Sequence, residues 1–377
     1  MQQVPGVVYP ARFAGFALSC ILEADVKALT CVTIALFLSI VSFNAQTKDW
    51  VTVSRWPGDR KAAISLTFDD ALLTHLEIVG PILKKHHLNG TFYVATGNDR
   101  WRNHLDAWRQ LAREGNEIGN HTVTHPCLLA RIQPHSQEYT PEMMEGEVRE
   151  AAQEITKQIG RQRGLTFAYP CGNISFGPIE QQANNAALYL RYVADHSFAA
   201  RAYSSNSPQN PDGLSVLTVT DLGVTEGKDF PSLLDMAAPA LRNGLWGIYC
   251  FHGVGGDWLS TPTEAFDELA SFLEKHSEIW SAPFGDVVRY IQESKAVKIN
   301  PPIVNQEHTE VSLNWPLDPG IYDLPLTFKI ALPERWSNPK VLGDQKSLPF
   351  RLLEGKDTKT LLVDVAPQTG LLTVFRQ

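Results

Sequence analysis

Between about residue 61 and residue 293 the chain alternates strand-like and helix-like stretches, and this alternation limits its possible folds more than any other feature. The clearest strand is Ala63-Ile64-Ser65-Leu66-Thr67-Phe68-Asp69-Asp70, where Ile64, Leu66 and Phe68 alternate with small residues and the run ends in two adjacent carboxylates. Period-two alternation is the mark of a buried strand. Leu72, Leu76, Val79 and Leu83 then predict an amphipathic helix to about His87. Residues 91–96 read as a second strand, Trp101, Leu105, Trp108 and Leu111 as a second helical stripe, and 116–120 as a short strand. Thr140-Pro141-Glu142 combines a capping residue, a first-turn proline and an acid. It opens a helix that carries Met144, Val148, Ala151, Ile155 and Ile159 to Gly160.

Strands follow at 165–169, 192–194, 214–219 and 246–251, with helices at 179–190, from Pro231 to about Gly244, and at 285–292. Thr261-Pro262-Thr263-Glu264 has capping-box spacing and predicts a helix to about His276. Such alternation argues for a mostly parallel sheet with helices outside it, barrel or open. In a barrel the chemistry gathers at the C-terminal ends of the strands. Asp69-Asp70, His121 to His125, Tyr169-Pro170 and His252 all fall at such ends, so four distant strands would deliver polar residues to one rim.

The flanks read differently. Residues 299–377 are proline-rich with short alternating runs at 310–315, 326–331 and 360–365, and Asp318-Pro319-Gly320 marks a turn. A small antiparallel β-sandwich fits, either a structural appendage or a sugar-binding module. At the other end, Lys27 precedes sixteen uncharged, mostly apolar residues (28–43) and then Asn44-Ala45-Gln46. A bilayer span needs about 20 residues, so residues 1–45 read as a secretory signal, with an uncleaved anchor as the alternative. Residues 46–60 are then a lead-in to the main domain, 61–293. A secreted, periplasmic or cell-envelope location follows.

Over 377 residues the net charge is −8 at pH 7, which argues against an electrostatic grip on nucleic acid and favours a neutral or cationic partner. Cys20 and Cys31 lie in the N-terminal segment. Cys127, Cys171 and Cys250 show no CxxC spacing, so neither a zinc finger nor a disulfide framework is indicated, although one unspecified disulfide is allowed.

Neighbouring residues of an extended chain point in opposite directions, so Asp69 and Asp70 should have different partners. One can bind a metal while the other takes a proton. His121 and His125 have the His-x3-His spacing of divalent-metal sites, but Thr122 stands where a zinc protease needs Glu. Joined by an aspartate from another strand end, they would make a two-His, one-Asp site with open coordination positions, the form expected of a catalytic centre.

Thr67-Phe68-Asp69-Asp70, His121-Thr122-Val123-Thr124-His125 and a later strand ending in His252 resemble the polysaccharide deacetylases of the NodB-homology type, carbohydrate esterase family 4. The resemblance covers about residues 60–293. It implies a distorted (β/α)7-type barrel, with the small β-rich domain after it. It also implies a metal-dependent hydrolase that removes acetyl groups, N-acetyl before O-acetyl, from an acetylated carbohydrate by attack of an activated water. Carried over by position, it makes Asp70, His121 and His125 the metal ligands, Asp69 the general base, His252 the general acid, and the Cys171 backbone N–H an oxyanion donor. The ion would be Zn2+, with Co2+ or Ni2+ also accepted by such a donor set. Two alternatives share the scaffold: a hydrolase of non-sugar C–N amide bonds, and a non-catalytic sugar-binding protein.

The chain departs from the family pattern in three places. Ala168 stands where an Arg usually pairs with the catalytic Asp, and Arg201 is a candidate replacement. The carboxylate that usually orients the acid histidine has no clear match, Asp195 and Asp221 being candidates. Cys250 stands where Leu is usual. Trp101, Tyr203 and Trp258 lie near the rim and are candidates for stacking on sugar rings or for ordinary packing, whereas His75, His86, His87 and His104 read as helix-surface residues. Substrate polymer and oligomeric state are not encoded in these motifs.

Overall fold

The computed structural model describes residues 50–129, 132, 134–305, 307–332, 336, 338–355 and 359–376. The signal or anchor reading of residues 1–45 lies outside the described residues. After a short first strand, β1 (Val51–Val53), eight strands build the sheet that holds the chemistry: β2 (Ala62–Asp69), β3 (Thr91–Val94), β4 (Glu117–Asn120), β5 (Thr166–Ala168), β6 (Ala199–Ser204), β7 (Val219–Asp221), β8 (Trp246–Phe251) and β9 (Ile279–Ser281). Their order is β7-β6-β5-β4-β3-β2-β8, with β9 also on β2. Every pairing is parallel. The remaining gap, between β7 and β8, is bridged by Leu222 N–H donating to the Ile248 carbonyl at 2.9 Å and by a parallel bridge between Val224 and Cys250. The result is a nearly closed barrel of the (β/α)7 type.

The alternation in β2 explains its place at the centre. All eight residues are buried. Ile64, Leu66 and Phe68 pack outward among Val79, Leu83, Leu233, Phe266 and Leu269 of the surrounding helices. Each such side chain contributes about 1.5–3 kcal/mol on burial. The small residues between them serve the other face: Ser65 Oγ donates to the Ala282 carbonyl (2.8 Å) and Thr67 Oγ1 to that of Tyr249 (2.5 Å). Asp69 belongs to this inner row.

Several elements differ from the sequence expectation. The helix after β2 opens with a π turn, His75–Val79, before Gly80–Lys85. Pro81 has no N–H to donate, and the ladder widens ahead of it. The Trp101 stripe is two helices, Asp99–Arg102 and Leu105–Arg113. Tyr192 and Val193 are not strand but the buried face of helix Gln182–His196, and the strand is β6 just beyond it. Only the end of 214–219 is extended, where β7 begins. The Thr261 box does not form: Pro262 is the N-cap of Thr263–Lys275, and Thr261 Oγ1 instead donates toward Thr225. Helix Pro141–Ile159 forms as expected, with the Thr140 side chain accepting from Met143 N–H.

Beyond residue 297 two antiparallel sheets face each other. One contains Leu326–Leu332, Lys359–Val365 and Phe350–Glu354; the other is centred on His308–Asn314, Leu371–Phe375 and Lys340–Gly343. Val311, Phe328, Ile330, Leu361 and Leu372 are among the side chains between them. Ahead of the barrel, β1 pairs antiparallel with Leu326–Leu332, Val51 opposite Ile330. Helix Phe284–Ala296 joins the two parts: Val287, Val288 and Ile291 pack with Trp56 and Trp246, while Tyr290 lies in the sandwich core. Among the described residues no helix is long and apolar enough to cross a membrane.

Candidate active site

The end of β2 separates the two carboxylates. Asp70 and Ala71 adopt φ of 78° and 51°, left-handed values rare for residues with a side chain, so the chain turns sharply as it leaves the strand. Asp69 stays in the barrel interior and Asp70 reaches the mouth. Its Oδ1 lies 3.5 Å from His121 Nε2 and 3.4 Å from His125 Nε2, and its Oδ2 is 3.9 Å from His252 Nε2. The donor atoms of Asp70, His121 and His125 all lie within 4.8 Å of one another.

The histidines are aimed from behind. His121 Nδ1–H donates to the Ala168 carbonyl at 2.7 Å, which aims the Nε2 at Asp70. Thr122 and His125 take φ of 67° and 60°. Glu147, on the buried face of Pro141–Ile159, holds this contorted loop: it accepts from Val123 N–H (2.9 Å), Thr124 N–H (2.8 Å) and Thr124 Oγ1 (2.7 Å). Gly97 lets the neighbouring loop approach, since a Cβ there would stand 2.5 Å from the Val123 carbonyl oxygen. Sequence reasoning missed Glu147, and its signal was a carboxylate on the Met144–Val148–Ala151 stripe.

This donor set fits a divalent cation: one carboxylate and two imidazoles converge, and three protein ligands leave positions open. Burial favours neutral Asp70, but the His121 hydrogen bond and the charges of His125, His121 and His252 outweigh it and hold the carboxyl well below the usual range. Burial, reinforced by the charge of His121, pushes His125 down to about 4, so its ring is neutral and its lone pair available at pH 7.

Asp69 has a separate partner. Buried Arg201, from β6, forms an ion pair with Asp69 Oδ2, donates to Asp221 Oδ2 at 2.7 Å and touches Cys250 Sγ at 3.3 Å. Burial alone would raise the Asp69 carboxyl, but the Arg201, His121 and His252 charges bring it below the usual value. Asp69 Oδ1 has no hydrogen-bond partner. The cation absent at position 168 thus arrives from the next strand. Asp221 lies behind Arg201 and also accepts from Ser204 Oγ and Gly223 N–H, rather than meeting His252. Asp195 lines a different cavity, with Lys157 and Arg161. His252 Nδ1 is buried without a partner, so no orienting carboxylate stands there among the described residues.

Cys171 follows β5 in the turn Pro170–Gly172 with φ of 53°, and it is disulfide-bonded to Cys127, while Cys250 is free and buried. Asp69, Asp70, His121, His125, Cys171 and His252 line one cavity of about 280 Å3. Tyr203 and Trp258 share that cavity and are 53% and 58% exposed. Trp101 is fully buried beside Trp108 and is a core residue. Two of the supposed surface histidines are also buried: His75 donates through Nε2 to the His252 carbonyl at 2.8 Å, and His86 bonds to Glu274 and Asp267. His87 and His104 are exposed.

Barrel and rim together define a parallel α/β barrel with a converging Asp-His-His donor cluster and an independently held carboxylate at the C-terminal ends of its strands. Residues 57–190 match the family model for polysaccharide deacetylases. The chain is 24% identical over 353 residues to a protein named gellan lyase from Bacillus sp., covering 85% of this chain and 13% of that protein. It is 30% identical over 117 residues to the peptidoglycan-N-acetylmuramic acid deacetylase PdaA of Bacillus subtilis strain 168, covering 31% of this chain and 41% of that one. The solved structure of Bacillus subtilis PdaA, a family 4 carbohydrate esterase, aligns with a TM-score of 0.38 at 20% identity, over 67% of this chain and 88% of that chain. The chain spans between 13% and 41% of the length of the curated relatives it matches.

Proposed function

We propose that this protein is a metal-dependent deacetylase that hydrolyses acetyl groups, N-acetyl in the first place, on a carbohydrate outside the cytoplasm. The observation that carries the reading is the division of labour at the end of β2: Asp70 converges with His121 and His125, while Asp69 is held apart by Arg201. Asp70, His121 and His125 would hold the cation. Bound there, a divalent ion lowers the pKa of water to about 7 and polarises a carbonyl. The chain's own groups do the rest. Asp69, kept ionised by Arg201, takes the proton of the attacking water through its free Oδ1. The Cys171 N–H faces the oxyanion that develops on the acetyl oxygen. His252, whose Nε2 lies 3.9 Å from Asp70 Oδ2, gives a proton to the departing nitrogen, without which an amine leaves poorly.

Tyr203 and Trp258 offer exposed faces for sugar rings beside the cluster, which favours a saccharide over a small amide. The disulfide favours an oxidising compartment, in keeping with a secretory reading of residues 1–45 and with relatives named for peptidoglycan. Chelator-stripped protein should release no acetate from acetylated oligosaccharides. Zn2+, Co2+ or Ni2+ should restore release, and Asp69→Asn should lower it by about 10²–10⁴. Equal release by wild type and Asp69→Asn would overturn the assignment.

A further inference from the structure

We infer that the Cys127–Cys171 disulfide is a positioning element of this site, fixing the loop that carries His125 against the turn that carries the Cys171 N–H. The two cysteines are 44 positions apart in sequence and lie in the loop that follows β4 and the turn that follows β5. Cys127 follows His125 by two residues and is fully buried. The front of the metal-site loop is well secured by Asn120 and Glu147, and the His121 side chain is 2% exposed. Its far end is held to its own loop, His125 N–H donating to Thr122 Oγ1 at 3.0 Å and Cys127 exchanging backbone hydrogen bonds with Pro134 and Ser136, but the His125 side chain is 22% exposed. Beyond it, among the described residues, the disulfide and a hydrogen bond from Leu128 N–H to Asn173 Oδ1 at 2.9 Å tie this loop to the 170–173 turn.

The turn depends on the same bond from the other side. Cys171 holds a left-handed φ of 53° without being glycine. The two hydrogen bonds that close the turn use the N–H groups of Gly172 and Asn173, not that of Cys171. The bridge therefore sets the span between a half-buried cation donor and a candidate oxyanion donor on separate loops. Misplacing reacting groups by about 1 Å can cost about 10² in rate. The Cys171 half of this inference rests on the deacetylase reading, whereas the His125 half rests only on the donor cluster.

The test compares oxidised wild type, wild type reduced by a phosphine and then desalted without oxygen, and the Cys127→Ser/Cys171→Ser double variant. Two electrons and two protons convert the bridge to two thiols, which thiol titration counts. In the reduced protein and the variant, Zn2+ affinity, read by competition with a chromogenic chelator, should weaken at least about tenfold. Their kcat for acetate release should fall about 10² with KM within about twofold. Reoxidation should restore the wild type, and reductant should leave the variant unchanged. Zn2+ affinity and kcat within twofold of wild type would overturn the inference. So would loss of the far-UV circular dichroism of the fold, because the bridge would then serve general stability. Should oxidised, zinc-loaded wild type release no acetate, the deacetylase reading fails while the affinity measurement still reports on the bridge.

Discussion

Arg201 is the residue on which two buried carboxylates converge. Removing its charge strands Asp69 and Asp221 together, and breaking such a buried pair costs about 3–5 kcal/mol. In Arg201→Met the Asp69 carboxyl should rise, because the largest downward influence on it is gone. The acidic limb of kcat/KM against pH should then move to higher pH, measured at a temperature where circular dichroism shows the variant folded. An unmoved limb would separate Asp69 from catalysis. At this scale the sequence was most legible where chemistry is local: the Asp pair and His-x3-His declare themselves by spacing. Glu147 and His75 did not, and Arg201 stood only as a candidate, because each acts across strands or helices whose neighbours only the closed barrel supplies. His75, read as a surface histidine, is instead buried behind His252.

The strand ends, taken as elements, place Tyr203 in the last residues of β6 and Trp258 in the loop after β8, both beside the same cavity. If the saccharide lies across the rim, Trp258→Ala should raise KM for an acetylated oligosaccharide by about three- to tenfold, the worth of one aromatic contact. Its KM for a small chromogenic acetyl ester should stay within about twofold. Equal changes on both substrates would mean that Trp258 supports the loop rather than the sugar. Element boundaries were the least legible part of the sequence. Tyr192 and Val193 favour a strand locally, but their apolar faces bury better by prolonging the helix before β6. Thr261 had the spacing of a cap, and a partner from another loop claimed its hydroxyl.

Across the whole molecule, helix Phe284–Ala296 joins barrel and sandwich, and Glu293 sits in that junction, 3% exposed. Burial, with the nearby Asp323 charge, pushes its carboxyl up to about 7 against the lowering influences of the Leu324 backbone and Arg289. A raised acid binds its proton more tightly in the folded state than in the unfolded one. Its contribution to stability is therefore full below about pH 4.5 and is lost as pH rises through 7. Urea denaturation between pH 5 and pH 8 should show this decline, and Glu293→Gln should flatten it. An unchanged slope would mean that the group is solvated.

The pairing of β1 with Leu326–Leu332 also governs the order in which the molecule can be completed. A ribosome delivers Val51–Val53 long before its partner strand exists, so one edge of the C-terminal sheet must wait for nearly the entire polypeptide. Non-local pairings of this kind are slow to close. A chain exported from its N-terminus would bring the segment just behind any leader through first and leave it unpaired until Leu326–Leu332 had followed.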